Sequence, residues 1–368
     1  MSLLLLLLAC APKPPPTPAP EAPAQLPTPP PADVSPIGDL QVPPLPLWTN
    51  PYARTPSEMG VYLAITRVMA TEGFGRLQAV ETQNTLRDIL RRNPVADLPD
   101  AYREAVRQVR EGELESGLDE QALGAARFIV AFDMDETLID QRYPKDFAAA
   151  CHSLRYDGDA WEPGDGERWV QLAPGWEAAF NTVRELGGAI VIFSANVDRR
   201  IEGILHEWTW EGKPLLDHPD IAGWLSNSHL ILQRKDEDKK PVTEPSKDLR
   251  MLDPTLERVI LVDDNPTRTF QPSNLRLTRK FDADLWCDPA AHADVKALVG
   301  GELQAVADEL RDSVTWMTGH GGTFRQAFLP YTQSGRLAVD GLMHSKGWDR
   351  AKAAAFVRDH PETVDRAF

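Results

Sequence analysis

The chain has 368 residues, room for two domains of about 150 residues each, which excludes a miniature scaffold stapled by disulfides. Hydrophobic residues make up 42% and charged residues 26%, the balance of a globular protein. The 55 acidic residues outnumber the 39 basic ones, and the net charge of −16 excludes nucleic acid as the main partner, because duplex binding needs a basic face to displace counterions.

The first apolar run, Leu3 to Ala9, falls far short of the roughly 18 residues that span a bilayer, and it stops at Cys10 in the string Leu7-Leu8-Ala9-Cys10. Residues 1–9 therefore read as a targeting segment. The string resembles the lipobox of bacterial lipoprotein signal peptides, Leu-x-Ala/Gly-Cys, although no Lys or Arg precedes the apolar run. The resemblance implies a lipid on Cys10, attachment to a membrane through it, and a place in the bacterial cell envelope facing the periplasm. Of the 32 prolines, 15 lie between Ala11 and Leu47, so residues 10–47 are expected to form a Pro-rich tether. At about 3.1 Å per residue a polyproline II segment of that length reaches up to roughly 100 Å.

Residues 48–125 are expected to be helical. Thr55-Pro56-Ser57-Glu58 has the residues of a capping box, and Val61, Tyr62, Ile65, Val68 and Met69 then follow a helical stripe. Tyr102, Val106 and Val109 mark a second helix. From Arg127 short apolar runs alternate with helical segments, the pattern of a parallel α/β sheet. The runs are Phe128 to Phe132, Ala189 to Phe193 and Val259 to Val262, continuous as in strands buried on both faces. Between them lie helices marked by Trp176, Phe180 and Val183, ended by Gly187, and by Ile201, Ile204, Leu205 and Trp208, with a further strand expected over His229 to Gln233. The charged run Arg234 to Lys240 reads as a solvated turn. Residues 126–299 are thus expected to form the α/β core and residues 300–368 a helical C-terminal extension, striped by Leu303, Val306, Leu310 and Val314 and continuing through Trp348, Ala353 and Phe356. Cys151 and Cys287 lack metal-ligand spacing; they either pair or stay as buried thiols.

Ligands of open parallel sheets bind beyond the carboxyl ends of the strands. Here those ends read Asp133-Met134-Asp135-Glu136-Thr137, Ser194-Ala195-Asn196 and Asp263-Asp264-Asn265, with Lys247 lying 16 residues before Asp263. One acid after a strand is an ordinary helix cap, but four acids, a hydroxyl and a lysine on one sheet edge are more than capping requires. Clustered carboxylates repel unless a cation neutralises them, and hard oxygen donors select Mg²⁺, which leaves positions for phosphate oxygens. The set points to phosphoryl transfer through an aspartate nucleophile.

These motifs resemble the haloacid dehalogenase superfamily, whose first motif Asp-x-Asp-x-Thr is matched by Asp133, Asp135 and Thr137, with Ser194, Lys247 and Asp263/Asp264 at motifs two to four. The string Asp-Met-Asp-Glu-Thr-Leu, Lys247-Asp248-Leu249 and the passage Val259 to Phe270 resemble its FCP/SCP-type (NIF-like) phosphatases over about residues 126–290. Asp264 stands where that branch has Asn, and Ser194-Ala195-Asn196 where it has Thr-Ala-Ser. The resemblance implies a Rossmann-like parallel sheet with helices on both faces and an aspartyl-phosphate mechanism. Asp133 would be the nucleophile and Asp135 the acid and base. Ser194, Ala195, Met134 and Lys247 would hold the phosphoryl oxygens, Thr137 and Asn196 would support them, and Asp133, Asp135, Asp263 and Asp264 would bind Mg²⁺. Arg199, Arg200 and Arg268 are candidates for the phosphate side or for the surface.

The 61 residues from Asp133 to Ser194 leave about 30, Ile139 to Leu172, for a flap but not a cap domain, and the 53 from Ser194 to Lys247 leave no room for one either. Tyr143, Tyr156, Trp161 and Trp169 lie in that flap, where they would either touch substrate or pack in the core. The expected function is a Mg²⁺-dependent phosphomonoester hydrolase taking a phosphorylated protein or small molecule. The alternatives are a lipoprotein acid phosphatase or nucleotidase and a non-catalytic binding module of the same fold.

Overall fold

The computed structural model describes residues 47–49, 61–63, 65–93, 95–111, 117–146, 151–161, 163–232 and 245–365. Cys10, most of the Pro-rich tether, Thr55 to Glu58 and the charged run Arg234 to Lys240 lie outside the described residues. Along the chain, β1 (Leu47–Thr49) pairs antiparallel with β2 (Val61–Leu63), and helices α1 (Ile65–Glu72), α2 (Arg76–Arg92), α3 (Leu98–Glu111) and α4 (Glu120–Ala125) follow. Then come β3 (Ile129–Phe132), β4 (Ile139–Arg142), β5 (Leu154–Asp157), α5 (Gly158–Trp161), β6 (Glu167–Leu172), α6 (Trp176–Glu185), β7 (Ala189–Phe193) and α7 (Asp198–Glu207). Next are the small hairpin β8 (Thr209–Trp210) and β9 (Lys213–Pro214), β10 (Ile221–Leu225), β11 (Ile231–Leu232), β12 (Pro245–Ser246), β13 (Val259–Asp263) and β14 (Leu275–Leu277). The described chain ends in helices α8 (Ala283–Cys287), α9 (Ala293–Gly300), α10 (Glu302–His320), α11 (Phe324–Phe328), α12 (Gln333–Lys346), α13 (Arg350–Asp359) and α14 (Glu362–Asp365).

The main sheet has five parallel strands in the order β10-β7-β3-β13-β14. Its apolar runs split by the two-residue period of a strand. Phe128, Val130, Phe132, Ile190, Ile192, Ile260 and Val262 enter one core, and Ile129, Ala131, Ala189, Val191, Phe193, Val259 and Leu261 enter the other. The first core is closed by α6, α7, α10 and α11, and the second by α2, α3 and α4. One covering layer therefore comes from the helices before the sheet, and the other from α6 and α7 between its strands, joined by α10 and α11. Within the C-terminal helical segment, Leu303, Val306, Leu310, Phe324 and Phe328 are fully or almost fully buried in the first core, whereas α12 to α14 pack on one another around Val339, Ala353, Val357 and Val364.

Two local expectations are corrected. Val61 to Leu63 forms a strand, and the helix begins only at Ile65; β-branched and aromatic residues fit a strand as well as a helical stripe when a partner strand is present. The strand expected over His229 to Gln233 is only the short β11 paired with β12, while the sheet's edge is β10. Gly223 explains why β10 escaped notice: with φ +126° and Trp224 beside it, the segment breaks the apolar run. Its missing Cβ lets the 117–119 segment pair along that edge, Asp119 N–H donating to the Ala222 carbonyl at 2.8 Å and Trp224 N–H to the Gly117 carbonyl at 3.1 Å.

Over the carboxyl end of the sheet lies a flap, the antiparallel sheet β4-β6-β5, which fills the space expected between Ile139 and Leu172. Cys151, just before β5, is disulfide-bonded to Cys287 at the end of α8, with Cα atoms 5.8 Å apart. No helix among the described residues is long and apolar enough to cross a membrane. Leu310→Ala on α10 is expected to cost about 2–5 kcal/mol in urea unfolding, as for any fully buried leucine; a loss below about 1 kcal/mol would show that α10 is a dispensable appendage.

Candidate active site

The centre of the site is a lysine with almost no contact with water. Lys247 is 1% exposed, and its Nζ donates to Asp133 Oδ1 at 2.5 Å and to Asp263 Oδ2 at 2.6 Å. The two acids arrive from neighbouring strands, Asp133 one residue beyond β3 and Asp263 at the end of β13, so the parallel register of these strands brings them together. Lys247 lies between β12 and the turn around Asp248, and its backbone is fixed by the segment 268–270: its N–H donates to the Arg268 carbonyl at 2.7 Å and its carbonyl accepts from Phe270 N–H at 3.0 Å. The next residue, Asp248, is fully buried and ion-paired with Arg76 of α2 and, at 2.9 Å, with Arg250. The N-terminal helices thereby brace the loop that carries the lysine.

Asp133, Asp263 and Asp264 each offer a carboxylate oxygen within 4.8 Å of the others'. Against these three carboxylates stands one ammonium. Burial, with the nearby charges of Asp263 and Asp135, pushes the Asp133 carboxyl above the usual carboxylate range against the pull of Lys247. Burial and then Asp263 and Glu136 push Asp264 up to about 6. For Lys247, burial works against its charge, but Asp133 and Asp263 outweigh burial and keep it firmly protonated. Thr137 donates to Asp264 Oδ1 at 3.3 Å and accepts from the Asp264 N–H at 3.1 Å, which locks the loop after β3 to the loop after β13. Asn265 N–H donates to Asp263 Oδ1 at 2.7 Å.

Asp135 occupies the flap side of the centre. Its Oδ2 accepts from Ser194 Oγ at 3.3 Å and Asn196 Nδ2 at 3.1 Å, and its Oδ1 from Gln141 Nε2 at 2.5 Å. Burial raises its pKa above the ordinary value although these three donors pull it down. The Met134 side chain is buried in the first core, and Ala195 is half-buried beside Ser194. Arg200 pairs with the buried Asp165 at 2.8 Å and donates to Asn196 Oδ1 at 3.2 Å, so its charge is already engaged; Arg168 shares the same Asp165 Oδ1 at 2.5 Å. Arg268 contributes a backbone carbonyl to Lys247. Of the flap aromatics, Tyr156 is buried, Tyr143 is exposed beneath the Arg168 guanidinium, and Trp169 stacks on His152. The side chain of Trp161 lies outside the described residues. Gln141 on β4 and Asp165 in the turn before β6 gave no motif; polar residues that point inward from a flap are visible only once the flap is folded.

Residues 128–291 match the family model of the NLI interacting factor-like phosphatases, an interval that runs from just before β3 to just beyond α8 and includes every acid and the lysine of the site. Residues 128–291 form a phosphatase domain similar to that family. Two solved structures are also similar. Fcp1, an essential RNA polymerase II CTD phosphatase, is 12% identical with a TM-score of 0.35, covering 60% of this chain and 72% of its own. The fission yeast RNA polymerase II CTD phosphatase Fcp1 bound to beryllium fluoride is 12% identical with a TM-score of 0.29, covering 67% and 70%. No curated protein matches the chain. In this phosphatase domain the lysine is the electrostatic keystone. Lys247→Met is expected to lower unfolding free energy by about 3–5 kcal/mol, because the Asp133 and Asp263 carboxylates would be left buried without a counter-charge; unchanged stability in urea would show that the ion triad is not needed for the fold.

Proposed function

We propose that the protein is a Mg²⁺-dependent phosphomonoester hydrolase that works through an aspartyl-phosphate on Asp133. The observation that carries this reading is the pairing of a buried lysine with an excess of converging carboxylates, Asp133, Asp263 and Asp264, which is the charge arrangement a divalent cation and a phosphate would complete. All three offer hard oxygen donors, and with Lys247 counted they retain a formal charge of −2 when ionised, which matches one Mg²⁺. Asp133, Asp263 and Asp264 would hold the cation together with the backbone carbonyl of Asp135; bound there, it supplies charge neutralisation for the phosphoryl group.

The chain's own residues supply the rest. Lys247 holds Asp133 by Oδ1, which aims the carboxylate and offsets repulsion as it approaches a phosphate dianion. Ser194 Oγ and the backbone amides of Met134 and Ala195 would hold phosphoryl oxygens. Asp135, whose carboxyl burial pushes above its ordinary range, would give its proton to the leaving oxygen and then take one from the water that releases phosphate. Asn196 fixes both Ser194 and Asp135, its N–H donating to Ser194 Oγ at 3.1 Å. The expected substrate is a phosphorylated protein or small molecule.

Asp133→Asn is expected to lower hydrolysis of p-nitrophenyl phosphate by about 1000-fold or more, and EDTA to abolish it with recovery on adding Mg²⁺. Activity in Asp133→Asn equal to that of the unaltered protein would end this reading. We also propose that Cys10 carries a lipid anchor that tethers the domain to a bacterial envelope membrane, a reading favoured by the Cys151–Cys287 disulfide, since such bridges persist in oxidising compartments. Cys10→Ser should then move the protein from the membrane to the soluble fraction and remove incorporation of labelled palmitate; an unchanged membrane fraction would refute the anchor.

A further inference from the structure

Asp135 is held from two sides by two different parts of the fold. Ser194 and Asn196, in the loop after β7, donate to Oδ2, whereas the donor to Oδ1 is Gln141 of the flap strand β4. The other end of the Gln141 amide is also engaged. Tyr156 of β5 donates its hydroxyl to Gln141 Oε1 at 3.2 Å, and at 2% exposure Tyr156 has little access to water as a substitute partner. A hydroxyl on the amide oxygen and a carboxylate on the amide nitrogen satisfy the two ends with opposite partners, so the amide has one preferred orientation. The flap is pinned in turn by α8. Ala283 N–H donates to Asp140 Oδ2 at 3.0 Å, Arg142 pairs with Asp140 at 2.6 Å and also with Asp284, and the disulfide ties Cys151 to Cys287.

We infer that Gln141, oriented by Tyr156, is a positioning residue that aims Asp135, so that the docked flap completes the proton-transfer group. The inference rests on the phosphatase reading of Asp135 given above. A carboxylate oxygen has two lone pairs. Oδ2 accepts from Asn196 and, until a phosphate takes up the Ser194 hydroxyl, from Ser194 as well, while Oδ1 uses one lone pair on Gln141 and keeps the other for the proton. In the first step an Asp133 oxygen bonds to phosphorus as the ester P–O bond breaks. The electron pair of that bond stays with the leaving oxygen, which takes the Asp135 proton. In the second step a water oxygen bonds to phosphorus, the Asp133 oxygen leaves with its electron pair, and the water proton returns to Asp135. Gln141 donates its N–H throughout; it sets the direction in which Oδ1 faces. Losing it costs rate in proportion to how much the leaving oxygen needs a proton.

The test is a series of aryl phosphates of one shape and rising leaving-group basicity, from p-nitrophenyl to p-methoxyphenyl phosphate, assayed with Mg²⁺. Gln141→Leu and the isosteric Gln141→Glu are expected to lose less than about threefold in kcat/KM, which reports the first step, on the nitrophenyl ester and about tenfold or more on the methoxyphenyl ester, which steepens the dependence on leaving group. Tyr156→Phe should steepen it in the same direction by a smaller factor. Equal losses across the series, or no loss at the basic end, would overturn the inference. Should Gln141→Leu fail to fold by circular dichroism, Gln141→Glu and Tyr156→Phe decide the matter. If the unaltered protein cleaves none of the esters, or Asp133→Asn cleaves them equally well, the phosphatase reading itself fails and the inference falls with it.

Discussion

One ammonium group between two carboxylates sets the conditions for everything around it. Removing Lys247, Asp133 and Asp263 from water carries a desolvation cost of several kcal/mol per ion, which their mutual attraction repays only if the geometry is held closely. That geometry is created by adjacency in the sheet. β3 and β13 are parallel neighbours, so their carboxyl ends lie side by side and their acids converge as a direct result of strand pairing. The lysine closes the pair from a separate segment whose backbone is bonded to residues 268–270.

The helical layers follow from the same requirement. A parallel sheet buried on both faces needs two covers, and the segments between its strands mainly supply one, α6 and α7. The second cover comes from α2, α3 and α4 before the first strand, and α10 and α11 thicken the first from the other end of the chain. The N-terminal layer does more than bury apolar surface. Through Arg76 on Asp248 it fixes the residue next to Lys247, so a segment without motifs of its own stabilises the loop that carries the lysine. On the opposite side the flap, held by α8 and a disulfide, delivers Gln141 to Asp135.

Much of this arrangement was legible in the residues. Phe128 to Phe132, Ala189 to Phe193 and Val259 to Val262 read as buried strands because a short, unbroken apolar run suits a strand covered on both faces, and the polar residues after them marked the site. Edge and short elements were less legible. β10 contains Gly223 and a bulge, features that serve its pairing with residues 117–119 and that erase its apolar signature. Val61 to Leu63 fits a helical stripe and a strand equally, and the partner β1 decided between them. Arg200 and Tyr156 were candidates for substrate contact; in the fold Arg200 neutralises Asp165 and Tyr156 is buried on Gln141.

The sequence by itself determined the chemistry available: which strand ends carry acids, that a serine and a lysine accompany them, and that the insert between Asp133 and Ser194 is too short for a cap domain. These are local properties, fixed by residue type and spacing. Only the tertiary structure decided which oxygen of Asp135 meets which donor, that Arg76 braces Asp248, and that α10 and α11 join the core. Each of those depends on side chains from separate elements meeting through the packing of whole layers, and no local pattern encodes the distance between them.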